Sequence, residues 1–294
     1  MTSNRADVRD FLVSRRGKIT PKQAGLQFYG GNRRVPGLRR EEVAILAGVS
    51  ADYYTRLEKG NLSGVSDSVL VAIASALHLD EAEREHLFNL ARAANTSPAR
   101  AAARRTPQQL RPATRLILDG MTDTPAFVRN GRLDVIAANT LGQALYSPAF
   151  ARPARPVNLA RFRFLDPAAR DFYPDFADSA HTTVALLRTE AGRDPFSKSL
   201  TDLIGELSTR SEEFRAMWAA HNVRLHRSGL KHFHHPAIGR IDLMFEAMAL
   251  EADEGLTLTA YTAEPGTPSH DGLKLLATWA ATHQREQDEN VSRS

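Results

Sequence analysis

Ala51, Asp52, Thr55 and Arg56 fall on the outer side of a short helix predicted to begin at Ser50, near its N-terminal end. A helix that shows small and polar groups there, braced by a preceding helix, fits the major groove of DNA. The elements that must hold it are written in Pro36–Gly60, PGLRREEVAILAGVSADYYTRLEKG. Val43, Ala44, Leu46 and Ala47 give the first helix an apolar face at three- and four-residue spacing. Gly48 stands just past its end, where a residue of positive φ is the usual stop. Val49 is predicted to pack inward, Ser50 to cap the second helix through its hydroxyl, and Tyr54 and Leu57 to form that helix's buried stripe.

Arg33, Arg34, Arg39 and Arg40 cluster just before this unit. Guanidinium groups so placed suit phosphate contacts, which position a domain without reading sequence.

The stretch LRREEVAILAGVSADYYTRLEKGN resembles the helix-turn-helix of bacterial transcription regulators of the Xre/Cro type. More narrowly it resembles the MmyB-like subgroup, whose members join this domain to a C-terminal ligand-binding domain. The likeness continues through Asn61–Ala94 and reappears in Asp123–Asn139, His221–Gly239 and Leu258–Ala280. In Xre-type domains the residues opening the recognition helix meet base edges, which here implies Ala51, Asp52, Thr55 and Arg56, with Ser50 beside them in the DNA-binding surface. The Arg56 guanidinium suits guanine O6 and N7, the Asp52 carboxylate suits cytosine N4, and the Ala51 methyl suits thymine. Tyr53 is expected outward, against the sugar-phosphate backbone. Glu58 is expected to brace the fold by pairing with Arg39 or Arg40 rather than to read bases.

Composition agrees with this reading. The 294 residues suffice for two domains, each with its own core. The chain has no cysteine, which excludes disulfides, thiolate metal sites and cysteine nucleophiles. No apolar run reaches the ~20 residues that span a bilayer, and the polar N-terminus has no signal-peptide pattern. The cytoplasm, with no membrane partner, is therefore expected. Residues 1–112 hold 18 Lys and Arg against 11 Asp and Glu, while residues 113–294 hold 20 against 23. A basic half joined to a mildly acidic half predicts that only the first meets a polyanion.

The predicted fold is α+β overall: an all-α, five-helix, lambda-repressor-like domain over residues 1–94, then a PAS-like α+β domain with an antiparallel sheet. A first helix is read over Ala6–Arg16 with Val8, Phe11 and Leu12 inward. A fourth carries Leu70, Ile73, Ala74 and Leu77, and a fifth is capped by Asp80. Residues 95–112, with three prolines and several arginines, read as a basic linker. The PAS-like domain is predicted over 113–284, followed by a polar tail at 285–294. Its strands are read at Ala126–Arg129 and Leu133–Ala137, joined by a type I′ turn at Asn130-Gly131, and at Leu230–His234, Ile238–Leu250 and Leu256–Ala263. Helices are read at Arg115–Thr122, Asn139–Tyr146, Ala177–Ala191, Ser199–Leu207, Glu212–Ala219 and Leu273–Thr282.

A cavity in that domain, lined by Phe127, Val135, Leu145, Trp218, Phe233 and Leu243, would take an apolar molecule, with Asn222, Arg224 or His234 toward its mouth. The resemblance implies a small-molecule effector, with a fatty acid as the leading candidate. The alternative is that the same side chains fill a core and the domain, without ligand, dimerises or recruits a protein. His232 and His234 share a strand face, but no acidic residue stands at matched spacing, and no metal or other cofactor is expected. GxSxG, P-loop, GxGxxG and HExxH patterns are all absent, so no catalytic residues and no enzyme activity are expected. The sequence thus predicts a DNA-binding regulator, acting as a homodimer on a double-stranded operator.

Overall fold

The structure, a computed structural model, describes residues 4–26, 36–95, 109–152, 156–220 and 227–292. The chain forms two compact units, residues 1–106 with 184–225 and residues 107–183 with 226–294. The sequence assigned 184–225 to the C-terminal domain. Helical periodicity showed these segments to be amphipathic but not which body they would pack against. Most of the expected linker lies outside the described residues.

The first unit opens with α1 (Asn4–Lys18), α2 (Arg40–Leu46), α3 (Ala51–Glu58), α4 (Asp67–Ala76) and α5 (Glu81–Ala94). Their apolar stripes meet in one core in which Val8, Phe11, Leu12, Leu70, Ile73, Leu87 and Leu90 are buried. Asp80 caps α5 by accepting the Glu83 N–H at 2.8 Å, while the Glu83 carboxylate accepts the Asp80 N–H at 3.2 Å. This reciprocal pair satisfies donors that no helical turn can reach.

Further along the chain, α11 (Phe176–Arg193) crosses the division between the units, and α12 (Lys198–Arg210) and α13 (Glu212–Ala219) lie in the first. Arg188 of α11 is buried, its guanidinium 4.1 Å from the centre of the Trp218 ring and donating to the Trp218 carbonyl. Burial pulls the Arg188 guanidinium down to about 10, and the charge of Asp7 on α1 acts against that.

The second unit begins with α6 (Pro112–Gly120) and holds a five-stranded antiparallel sheet. Its strands are β1 (Ala126–Asn130), β2 (Val135–Ala138), β3 (Ser228–His235), β4 (Gly239–Ala249) and β5 (Leu256–Thr262), in spatial order β2-β1-β5-β4-β3. This is the PAS-like sheet expected from the sequence. Alternation sorts the side chains. Phe127, Phe233, Ile241, Leu243, Phe245 and Tyr261 enter the main core, while Val128, Leu256, Leu258 and Ala260 form a smaller one with Leu118 of α6.

The β1–β2 turn departs from expectation. Leu133 N–H bonds to the Asn130 carbonyl, and Leu133 itself takes a positive φ of 65°. The loop is therefore of the three-residue kind, a turn followed by a left-handed residue, rather than a two-residue type I′ turn. The helix read at Asn139–Tyr146 is present as α7 (Thr140–Leu145), while three short helices went unread in the sequence: α8 (Ser147–Phe150), α9 (Leu159–Leu165) and α10 (Ala168–Phe172). Four to seven residues are too few for a 3.6-residue period to show. The chain's last helix, α14, spans Pro268–Ser292.

Candidate functional site

In the first unit the α2–α3 turn is built as its residues require. Gly48 holds φ at 65°, and the Val49 N–H returns to the Ala44 carbonyl at 3.0 Å, closing α2. Ser50 Oγ accepts the Tyr53 N–H at 3.1 Å and starts α3. Tyr54 and Leu57 are fully buried, which fixes the roll of α3 and leaves Asp52 and Arg56 exposed and Ala51, Tyr53 and Thr55 half-buried. The Arg56 guanidinium rests 4.9 Å from the centre of the Tyr53 ring. The Arg56 side chain is exposed, and a guanidinium can donate two parallel hydrogen bonds.

Glu58 closes α3 from below. Its carboxylate, 1% exposed, accepts from Arg16 Nε at 2.6 Å and Nη2 at 3.2 Å and from Arg40 Nε at 2.6 Å. Burial alone would raise the Glu58 carboxyl, but the two guanidinium groups outweigh it and hold the group below its ordinary value. Arg40 is thus tied to the fold through one nitrogen, with its side chain 49% exposed. Arg39 is exposed, and its N–H caps onto the Glu42 carboxylate at 2.6 Å. Arg33 and Arg34 lie outside the described residues.

In the second unit a cavity of about 760 Å³ opens between α7, α8, α10, the β3–β4 turn and α14. Phe150, Phe172 and Trp279 form apolar walls, and Ser147, His234 and His283 bring polar groups. The Trp279 and His283 rings stack at 5.1 Å, and Trp279 meets His235 edge-on at 5.4 Å. His235 is buried, with Nε2 2.9 Å from the Ala144 carbonyl and Nδ1 accepting the Ala237 N–H at 3.2 Å. Those partners assign the proton to Nε2, and burial lowers the ring's proton affinity, so it is neutral.

Residues 110–276 match the family described as the MmyB-like transcription regulator ligand binding domain, and residues 18–87 match a helix-turn-helix domain family. The chain belongs to the MmyB-like transcription regulators. No curated protein matches it. As an MmyB-like regulator it is a DNA-binding transcription regulator, with α2 and α3 as its helix-turn-helix. Among the described residues no helix is long and apolar enough to cross a membrane.

Within this MmyB-like regulator the ligand residues expected from sequence divide four ways. Phe127, Val135, Leu145, Phe233 and Leu243 face inward as predicted but pack into the core with Tyr146, Phe172 and Tyr261. Trp218 lies in the first unit, stacked on Phe214 at 5.6 Å. Asn222 and Arg224 lie outside the described residues. Of the described members of the set, His234 alone lines the cavity. The walls Phe150 and Phe172 sit on helices too short to read from sequence, and Trp279 carried no local signal. His232 pairs with Asp242 on the neighbouring strand, Nδ1 to Oδ1 at 2.7 Å. Among the described residues no group of three or more His, Asp or Glu is arranged to hold a metal.

Proposed function

We propose that this protein reads an operator through α3 as a homodimer, and that a small apolar molecule bound in its second unit sets how well it does so. The observation that carries the effector reading is the cavity walled by Phe150, Phe172 and Trp279, within the span matched to a ligand-binding domain. An apolar chain, as of a fatty acid, would bury against those rings, and His234 and His283 would meet a polar head group. Two helix-turn-helix units about a two-fold axis would read half-sites about one helical turn, ~34 Å, apart. Effector binding alters operator affinity only if the effector favours one arrangement of the dimer.

The test is mass spectrometry of the purified protein under native and denaturing conditions, followed by operator titration with the released molecule added back. An apolar compound in fixed stoichiometry that shifts operator affinity supports the reading. A clean apo mass together with operator binding indifferent to added apolar compounds would sink it.

A second reading is a domain that binds no effector and serves as a dimerisation or recruitment surface. Two features favour it. The side chains expected to line an inner cavity fill the core instead, and Leu230, Met244 and Met248 are exposed on β3 and β4. Leu230 and Met244 are direct cross-strand neighbours, so they form one patch.

A further inference from the structure

The cavity walled by Phe150, Phe172 and Trp279 carries a pattern of protons and charges that narrows what it can hold. Ser147 lines it, with Oγ 3.1 Å from His235 Nε2. The same nitrogen lies 2.9 Å from the Ala144 carbonyl, and a carbonyl only accepts, so Nε2 carries the proton. His235 Nδ1 is already an acceptor, taking the Ala237 N–H at 3.2 Å. Ser147 Oγ therefore accepts from His235, and its own proton is left to donate. Among the described residues no carbonyl or carboxylate takes that proton.

The charges point the same way. Among the described residues that line the cavity none is Lys or Arg, and the only carboxylate is that of Asp171, exposed on α10. Asp171 forms no ion pair among the described residues, and its helix packs against α8, which carries Ser147. Gln143, also in the lining, donates from Nε2 to the Ala138 carbonyl at 3.3 Å and keeps Oε1 as a further acceptor. A carboxylate ligand would meet a like charge here and no cation to offset the loss of its water. An alkylammonium would satisfy Asp171 but offer the Ser147 proton no acceptor. An amide does both, since its carbonyl accepts and its N–H donates.

Resting on the reading of this cavity as the effector site, we propose that the effector is an uncharged acyl amide, its carbonyl accepting from Ser147 and its N–H donating to Asp171. The chain is that of a fatty acid, set against Phe150, Phe172 and Trp279, while the head carries no charge.

The test is isothermal titration of the full-length protein with octanamide, octanoate and octylamine, repeated on Ser147→Ala and Asp171→Asn. It is run at pH 8, where imidazoles in general are uncharged. The expected result is one octanamide per chain, bound about tenfold or more tighter than either charged probe. Ser147→Ala should weaken octanamide about fivefold, the loss of one neutral hydrogen bond, and leave octanoate unchanged. That variant keeps His235 bonded to the Ala144 carbonyl, so lost binding in it is not lost folding. Asp171→Asn should narrow the gap between octanoate and octanamide. Octanoate or octylamine bound as tightly as octanamide, or octanamide bound equally by parent and Ser147→Ala, would overturn the amide head and leave the effector site standing. Failure of all three probes to bind would overturn both.

Discussion

Arg40 Nε donates to Glu58 Oε1 at 2.6 Å, and the bond ties the first residue of α2 to the last residue of α3. Arg16 of α1 holds the other side of the same carboxylate and also donates to the Leu38 carbonyl at 2.8 Å. One buried acid therefore helps set the angle between α2 and α3. Glu58→Gln keeps the shape but leaves two guanidinium groups facing a neutral amide. Breaking a buried pair in this way costs about 3 kcal/mol, with the low end apt because Arg40 is half exposed. Denaturant unfolding of the variant is expected to show that loss, and an unchanged midpoint would remove Glu58 from this role.

The same carboxylate gives the first unit a signature in acid. Its folded value lies below the ordinary 4.5 because the pull of Arg16 and Arg40 exceeds the cost of burial. A depressed acid contributes stability that is fully present above its unfolded value and is lost as pH falls through its folded value. Thermal melts taken downward from pH 6 should be level at first and then decline below about 4.5. Glu58→Gln should flatten that decline. A variant that loses stability with acid as steeply as the parent would show that other carboxylates control it.

Arg56 and Arg39 should fail differently. Arg56 is exposed on α3, its guanidinium 4.9 Å from the centre of the Tyr53 ring. Arg56→Ala is expected to weaken specific binding by about 1–3 kcal/mol and to relax preference at one base pair of the half-site. Arg39 is exposed beside the start of α2 and suits a phosphate. Arg39→Ala is expected to weaken binding alike across sequences and to reduce the salt slope by roughly one. Competition titrations at two salt concentrations separate the two patterns, and identical specificity profiles would reject Arg56 as a reader.

Sequence legibility followed how local each determinant is. Gly48, Ser50, Tyr54 and Leu57 are set by neighbours within a few residues, so the helix-turn-helix could be read directly. Strand alternation likewise predicted that Phe127, Phe233 and Leu243 face inward. It could not say that Tyr146, Phe172 and Tyr261 would arrive from elsewhere and occupy the space expected for a ligand. Arg163 was invisible for the same reason. Nothing near it in the chain distinguishes it from a solvated arginine, and its burial depends on Tyr173 and on a sheet whose other strands lie far along the chain.

Two glycines of the helix-turn-helix both take positive φ, Gly48 at 65° and Gly60 at 95°, yet they should respond unequally to alanine. A side chain at Gly48 would meet nothing within 4 Å, so Gly48→Ala costs only the left-handed backbone, about 1–2 kcal/mol. At Gly60 an added Cβ would stand 2.4 Å from the Arg5 carbonyl oxygen and 2.6 Å from the Arg5 Cα. Those are backbone atoms of α1 that cannot rotate away, so α1 must shift from the core that Val8, Phe11 and Leu12 occupy. Interior packing is dense enough to resist such a shift. Gly60→Ala is therefore expected to lower the melting temperature of the first unit well beyond Gly48→Ala and to reduce operator binding with it. Equal shifts in the two variants would mean that α1 does not approach Gly60 this closely in solution.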